Sequence, residues 1–215
     1  MQHRNRARLI IADDHTLLAE ACKSLLEPEF EVVAIVNNGR ALLQVAPQLR
    51  PEVVIVDIAM PQLNGLDAGE QLKRLDPSTR LVYMTMNTDP EVAAEAFRRG
   101  AAGYVLKNSA AEELVSAIRS VLKGESYLSP SITKDTVRFL LKGGKSNEEE
   151  GGITARQSEV LQLLAEGKSM KEIASALNVK PGTVAFHKYK MMESLGLKTN
   201  AELLQYAIRH HIIPS

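Results

Sequence analysis

Apolar residues fall into five short runs along the first half of the chain, at residues 9–12, 32–36, 53–56, 81–84 and 104–106. The run at 53–56, Val-Val-Ile-Val, has no polar alternation. That is the pattern of a strand buried on both faces, as in a parallel sheet covered by helices. Between the runs, helical segments are expected at 17–26, 39–49, 67–75, 90–99 and 110–122, the last opening with the capping-box pair Ser109 and Glu112. This alternation predicts an α/β doubly wound, five-stranded parallel sheet over residues 1–128.

Beyond it the pattern changes. Residues 129–152 are read as a linker, with the apolar-free, flexible stretch Lys142 to Gly152 forming its last part. Residues 153–215 hold no strand-like run and three more capping boxes, Thr154 with Gln157, Ser169 with Glu172, and Thr199 with Glu202. Pro181 suits a fourth helix start. Helices are expected near 155–166, 170–177, 181–195 and 200–210, forming a small all-α domain.

Length and composition, 215 residues with 45% hydrophobic and 24% charged, describe a soluble globular protein long enough for one large domain or two small ones; the linker and the charge distribution favour two. No apolar run approaches membrane-spanning length, and the run at 9–12 is too short for a signal peptide, so a cytoplasmic location with no membrane partner is expected. The single cysteine, Cys22, is read as a small buried apolar residue. Net charge is zero, yet residues 1–128 carry 14 basic against 17 acidic side chains and residues 153–215 carry 8 against 5. The second domain is the basic one.

In doubly wound sheets, ligands bind beyond the carboxyl ends of the strands. The polar residues that follow the apolar runs are Asp13 and Asp14, Asp57, Thr85, and Lys107. Three carboxylates crowded together call for a cation, and hard oxygen ligands suit Mg²⁺, with Asp14 and Asp57 as direct ligands. With charge neutralised, Asp57 can act as a nucleophile on a phosphoryl group whose oxygens Thr85 and Lys107 hold. A phosphatase of the haloacid-dehalogenase kind fits less well. It would place two aspartates two residues apart after the first strand, whereas Asp13 and Asp14 are adjacent and Asp57 is separate. His15 is read as a surface or capping residue without the partners for metal binding.

In the second domain, the segments 170–177 and 181–195 are separated only by Asn178-Val179-Lys180. The latter carries Lys188 and Lys190 and is flanked by Lys180 and Lys198. A helix pair with a basic second member reads as a helix-turn-helix that binds DNA. Helical spacing turns Val184, Met191 and Leu195 inward, Phe186, Tyr189 and Lys190 outward, and Ala185 to the flank. The two outward aromatics have two readings: contact with DNA bases, or packing against another domain or subunit.

The segments IADDH, VVIVDIAMPQLNG, YMTM and GYVLK resemble the receiver domain of bacterial response regulators across residues 7–125. The segment from Ile153 to Ala207 resembles the LuxR-type helix-turn-helix domain, so the whole chain is similar to the NarL/FixJ class. The first resemblance implies an acidic pair in Asp13 and Asp14, a phosphoacceptor in Asp57, and a backbone carbonyl at Ala59 completing a Mg²⁺ site. It also implies switch residues in Thr85 and Tyr104, an essential Lys107, and a turn built on Pro61 and Gly65. Met86 stands where many receivers have a small residue, which implies slowed entry or loss of the phosphoryl group. The second resemblance implies base contacts from Ala185, Phe186 and Tyr189 and phosphate contacts from Lys188 and Lys190, with Lys180 and Thr183 also at the DNA. Together they imply a transcription regulator phosphorylated by a sensor histidine kinase. It would bind the major groove of double-stranded DNA as a homodimer paired through residues 201–209, and would have no turnover beyond self-phosphorylation and slow autodephosphorylation. The alternative is a phosphorylation-independent DNA-binding regulator whose receiver is an interaction module.

Overall fold

The computed structural model describes residues 6–109, 111–141 and 153–213. The chain divides into two compact units, a sheet wrapped by helices and a bundle of helices. In the first, the order is β1 (Arg8–Ala12), α1 (Thr16–Leu26), β2 (Glu31–Val36), α2 (Gly39–Leu49), β3 (Val53–Val56), α3 (Gly65–Leu75), β4 (Arg80–Thr85), α4 (Pro90–Arg98), β5 (Ala101–Leu106) and α5 (Ala111–Leu122). A short β6 (Tyr127–Leu128) and a helix α6 (Pro130–Leu141) follow.

All strand pairings are parallel, in the order β2-β1-β3-β4-β5-β6. Alternate residues of the strands serve opposite faces. Leu9, Ile11, Val53, Ile55, Val82 and Val105 pack with Ala19, Cys22 and Leu26 of α1 and with Leu114, Ala117, Ile118 and Val121 of α5. Ile10, Val54, Val56 and Tyr83 are buried as well. Both faces are therefore covered, which is why the apolar runs are unbroken. Cys22 sits in this core as a small apolar residue, its thiol pKa pushed up by burial.

Two features depart from the sequence expectation. The sheet has six strands, not five, and residues 130–141 form α6, packed on α4, where a linker was expected. The linker reading fails because β6 and α6 gain their stability from tertiary pairing with β5 and α4, which a local pattern does not display. A signal was available in Ser129-Pro130, a start favourable to a helix, followed by the buried Ile132. The stretch from Lys142 to Gly152 lies outside the described residues, as does Ala110, through which the cap assigned to Ser109 and Glu112 passes.

The second unit consists of α7 (Ala155–Ala165), α8 (Met170–Ala176), α9 (Pro181–Ser194) and α10 (Asn200–Arg209). All three capping boxes form, each with its side-chain and backbone bonds reciprocated. α9 is held at both ends: Val184 packs with Val160, Leu163, Ile173 and Leu177, while Met191 packs with Leu161, Leu203 and Ala207.

Candidate functional site: an acidic sheet edge and a basic recognition helix

The last rungs of the parallel ladder are made by the site residues themselves. The Asp13 amide donates to the Val36 carbonyl at 3.0 Å, Asp57 to Ala12 at 2.8 Å and Lys107 to Thr85 at 2.8 Å. Strand order reverses between β1 and β3, so Asp13, Asp14 and Asp57 flank the point where a doubly wound sheet opens to a ligand. Thr85 ends β4 and Lys107 follows β5, next in line.

Asp13 and Asp57 are almost fully buried. The Lys107 Nζ reaches both: it donates to Asp57 Oδ2 at 2.8 Å and forms an ion contact with Asp13 Oδ2, also at 2.8 Å. Burial pushes the Asp57 carboxyl above its ordinary pKa, with Asp13 adding to the effect and the ammonium opposing it. Burial alone would lower Lys107, but its hydrogen bonds and attraction to the two carboxylates prevail, and its pKa is raised. The Ala59 amide donates to Asp57 Oδ1 at 3.3 Å, bringing that segment of backbone against the carboxylate.

Behind Asp57 the chain must turn sharply. The Gly65 amide returns to the Ile58 carbonyl at 2.8 Å, and a Cβ on Gly65 would meet the Asp57 carbonyl oxygen at 2.1 Å. Only glycine permits that approach. Thr85 is buried, and its Oγ1 accepts the Asn87 amide at 3.1 Å. Tyr104 is buried with its hydroxyl donating to the Asn87 carbonyl at 2.9 Å. Thr85 and Tyr104 thus meet at one residue of the β4–α4 loop. Met86, beside them, is 66% exposed.

His15 is exposed, as expected of a surface or capping residue, but it does not lack neighbouring ligand groups. It occupies the N-cap of α1 without a side-chain cap bond. Its Nδ1 lies 2.9 Å from Asp14 Oδ1, 3.2 Å from Asp13 Oδ1 and 4.0 Å from Asp57 Oδ2. The four residues offer ligand atoms all within 4.8 Å of one another. The chain itself places Asp13 and Asp14 beside this histidine; folding adds Asp57.

Ser129 is a further polar residue that the sequence did not single out. It is fully buried between β6 and α6; its amide donates to the Tyr104 carbonyl at 2.9 Å, its Oγ accepts the Leu106 amide at 3.0 Å, and its hydroxyl donates to Glu113. The end of the first unit is thereby fastened to the strand that carries Tyr104 and leads into Lys107. Its place immediately before Pro130, at a helix start, was the available signal.

In the second unit, α8 and α9 are joined through Asn178, in the left-handed region at φ 52°, which asparagine tolerates better than most residues. Val179 folds back to pack on the same core as Val184. Lys180 is the exposed N-cap of α9, and Thr183 and Ala185 are half-buried in its first turns. Phe186, Tyr189 and Lys190 are exposed, as the helical spacing predicts. Lys188 is the exception: it is buried. Four residues beyond Val184 and three before Met191, it shares their side of the helix, which carrying over a phosphate contact by family position alone did not take into account. Its Nζ lies 5.5 Å from the centre of the Tyr189 ring.

Comparison with known proteins agrees with this geometry. Residues 9–119 match the response regulator receiver domain family, and residues 152–207 match the bacterial regulatory proteins of the luxR family. The transcriptional regulatory protein MctR of Rhizobium johnstonii is 33% identical over 215 residues, covering 99% of this chain and 98% of that protein. The oxygen regulatory protein NreC of Staphylococcus carnosus is 34% identical over 214 residues, covering 96% and 99%. Among solved structures, RcsB from Salmonella enterica serovar Typhimurium, bound to promoter P1flhDC in the presence of phosphomimetic BeF3-, is 30% identical, with a TM-score of 0.61 over 94% of this chain and 98% of that one. An acidic edge of a doubly wound parallel sheet, followed by a helix-turn-helix unit and matched end to end by such relatives, places the chain in the NarL/FixJ class of response regulators, a receiver domain joined to a LuxR-type DNA-binding domain.

Proposed function

We propose that the chain is a cytoplasmic transcription regulator in which phosphorylation of Asp57 sets the binding of its helix-turn-helix unit to double-stranded DNA. The observation that carries this reading is the convergence of Asp13, Asp14, Asp57 and Lys107 at one sheet edge, in a chain whose second unit presents a basic helix.

The donor set is one of hard carboxylate oxygens close together, which fits Mg²⁺. Asp13, Asp14, Asp57 and the Ala59 carbonyl would hold it. Once bound, the ion supplies positive charge that lets a carboxylate and a phosphoryl group approach. Asp57 then attacks phosphorus: a new P–O bond forms to its carboxylate as the donor bond breaks. That bond is P–N for a phosphohistidine on a sensor kinase, whose imidazole leaves and keeps or takes up its proton from solvent. Lys107 pairs with the added charge, and the Thr85 hydroxyl donates to a phosphoryl oxygen. Met86, beside Thr85, narrows access and slows entry or loss of the group.

Thr85 accepts the Asn87 amide and Tyr104 donates to the Asn87 carbonyl, so a pull on Thr85 reaches Tyr104 through a single peptide segment. That is the two-state element the charge would bias. The activated chain pairs through α10 and places α9 in the major groove of two half-sites, with Ala185, Phe186 and Tyr189 at the bases and Lys180, Thr183 and Lys190 towards the backbone. Among the described residues, no helix is long and apolar enough to cross a membrane.

The test is DNA binding by full-length protein on duplexes selected from a random library, with and without Mg²⁺ and acetyl phosphate. The reading expects tighter binding after treatment in wild type and none of that gain in Asp57→Asn. Equal binding by treated and untreated wild type would favour a regulator that works without phosphorylation.

A further inference from the structure

Phe186 and Tyr189 lie one turn apart on α9 and expose 59% and 62% of their surface. The helix cannot rotate to hide them, because Val184 and Met191 on its other side are anchored in two separate core clusters. Two large rings held in water by an otherwise well-anchored helix mark a contact surface. Its surroundings define the partner. Lys190 is exposed with its Nζ 5.6 Å from the centre of the Phe186 ring, and Lys180 is exposed at the helix start. A rim of this sign suits a polyanion.

A phenyl ring has no donor or acceptor with which to read the hydrogen-bonding pattern of a base edge. Among the groups that the four bases present in the major groove, only the C5-methyl of thymine is apolar. We propose that Phe186 is a specificity-determining residue that reads a thymine methyl group in each half-site, with Lys190 beside the ring on the neighbouring phosphate. The inference rests on the reading of α9 as the recognition helix and adds the chemical feature it recognises. Ala185, half-buried on the flank, leaves room for the ring to reach the groove floor.

The experiment uses full-length protein treated with Mg²⁺ and acetyl phosphate. A duplex is selected from a random library, then remade with each dT replaced singly by dU, which removes only the methyl group. For wild type, one or two positions per half-site should lose about fourfold in affinity, the worth of one buried methyl. Phe186→Ala, whose melting temperature should match wild type because the ring is exposed, should bind the dT duplex more weakly and be indifferent to dU at those positions. Wild-type binding unaffected by dU at every position, or Phe186→Ala retaining the wild-type sensitivity, would overturn the inference while leaving DNA binding intact. A dimer that dissociates on Phe186→Ala, with binding indifferent to dU, would assign the rings to a second copy of the chain and overturn it likewise. No enriched duplex at all would overturn the DNA-binding reading and this inference with it.

Discussion

The ammonium of Lys107 lies 2.8 Å from Oδ2 of Asp57, and the same nitrogen lies 2.8 Å from Oδ2 of Asp13. One cation thus holds two buried carboxylates that the chain separates by the whole of β2 and β3. Lys107→Met would remove it and leave the two charges facing each other. The variant should lose about 3 kcal/mol of stability at pH 7, the cost of breaking a buried pair. Urea denaturation against pH checks this: the deficit should narrow as pH falls and Asp57, whose folded pKa is raised, takes up its proton.

Asp57→Asn should behave in the opposite way. The folded-state pKa of Asp57 is raised, so the folded protein holds a proton that the unfolded chain has released, and stability falls as pH rises from the ordinary carboxylate pKa through the folded one. Above that window the ionised Asp57 costs stability, which a neutral amide of the same shape does not. The variant should therefore melt at or above the wild-type temperature at pH 7, with the difference vanishing as pH falls below the ordinary carboxylate range. Calorimetry across that range is the check.

Tyr83 and Gly69 form a second constrained pair. The Tyr83 hydroxyl is fully buried without a hydrogen-bond partner among the described residues, its pKa pushed up by burial, and a Cβ on Gly69 would lie 2.1 Å from it. Gly69→Ala should destabilise by about 2–3 kcal/mol through overpacking. Tyr83→Phe should be neutral or stabilising by about 1 kcal/mol, since it deletes an unsatisfied polar group. The double variant should recover part of the Gly69→Ala loss, and a thermodynamic cycle by urea denaturation measures that coupling.

Much of this was legible in the sequence, and the remainder was not for identifiable reasons. The β3 run and the aspartate after it can be read directly, because burial on both faces leaves an unbroken apolar signature and the functional residue ends it. The three capping boxes of the second unit are equally local: the residues that make each contact sit three positions apart. What the pattern hides is convergence. Asp13 and Asp14 are next to His15 in the chain, but Asp57 joins them only when β1 and β3 pair. β6 and α6 exist because β5 and α4 receive them. Lys188 shows the opposite failure, where a family position outweighed the helical angle that puts it beside Val184 and Met191.

Ser129 ties that unforeseen segment to the site. Ser129→Ala would leave the buried Leu106 amide without its acceptor, at a cost of about 1–3 kcal/mol. Hydrogen exchange should rise at Leu106 and along Tyr127–Leu128, with little change in β1. Uniform exchange throughout the sheet would mean that the serine only fills space.

The central claim is that Asp57 accepts a phosphoryl group. The most direct measurement is the intact mass of the full-length protein after incubation with acetyl phosphate and Mg²⁺, with Asp57→Asn and a chelator-treated sample alongside. The account predicts the mass increment of one phosphoryl group on wild type with Mg²⁺ and on neither control. An adduct of the same mass on Asp57→Asn, or none on folded wild type with either acetyl phosphate or a phosphorylated sensor kinase as donor, would contradict it.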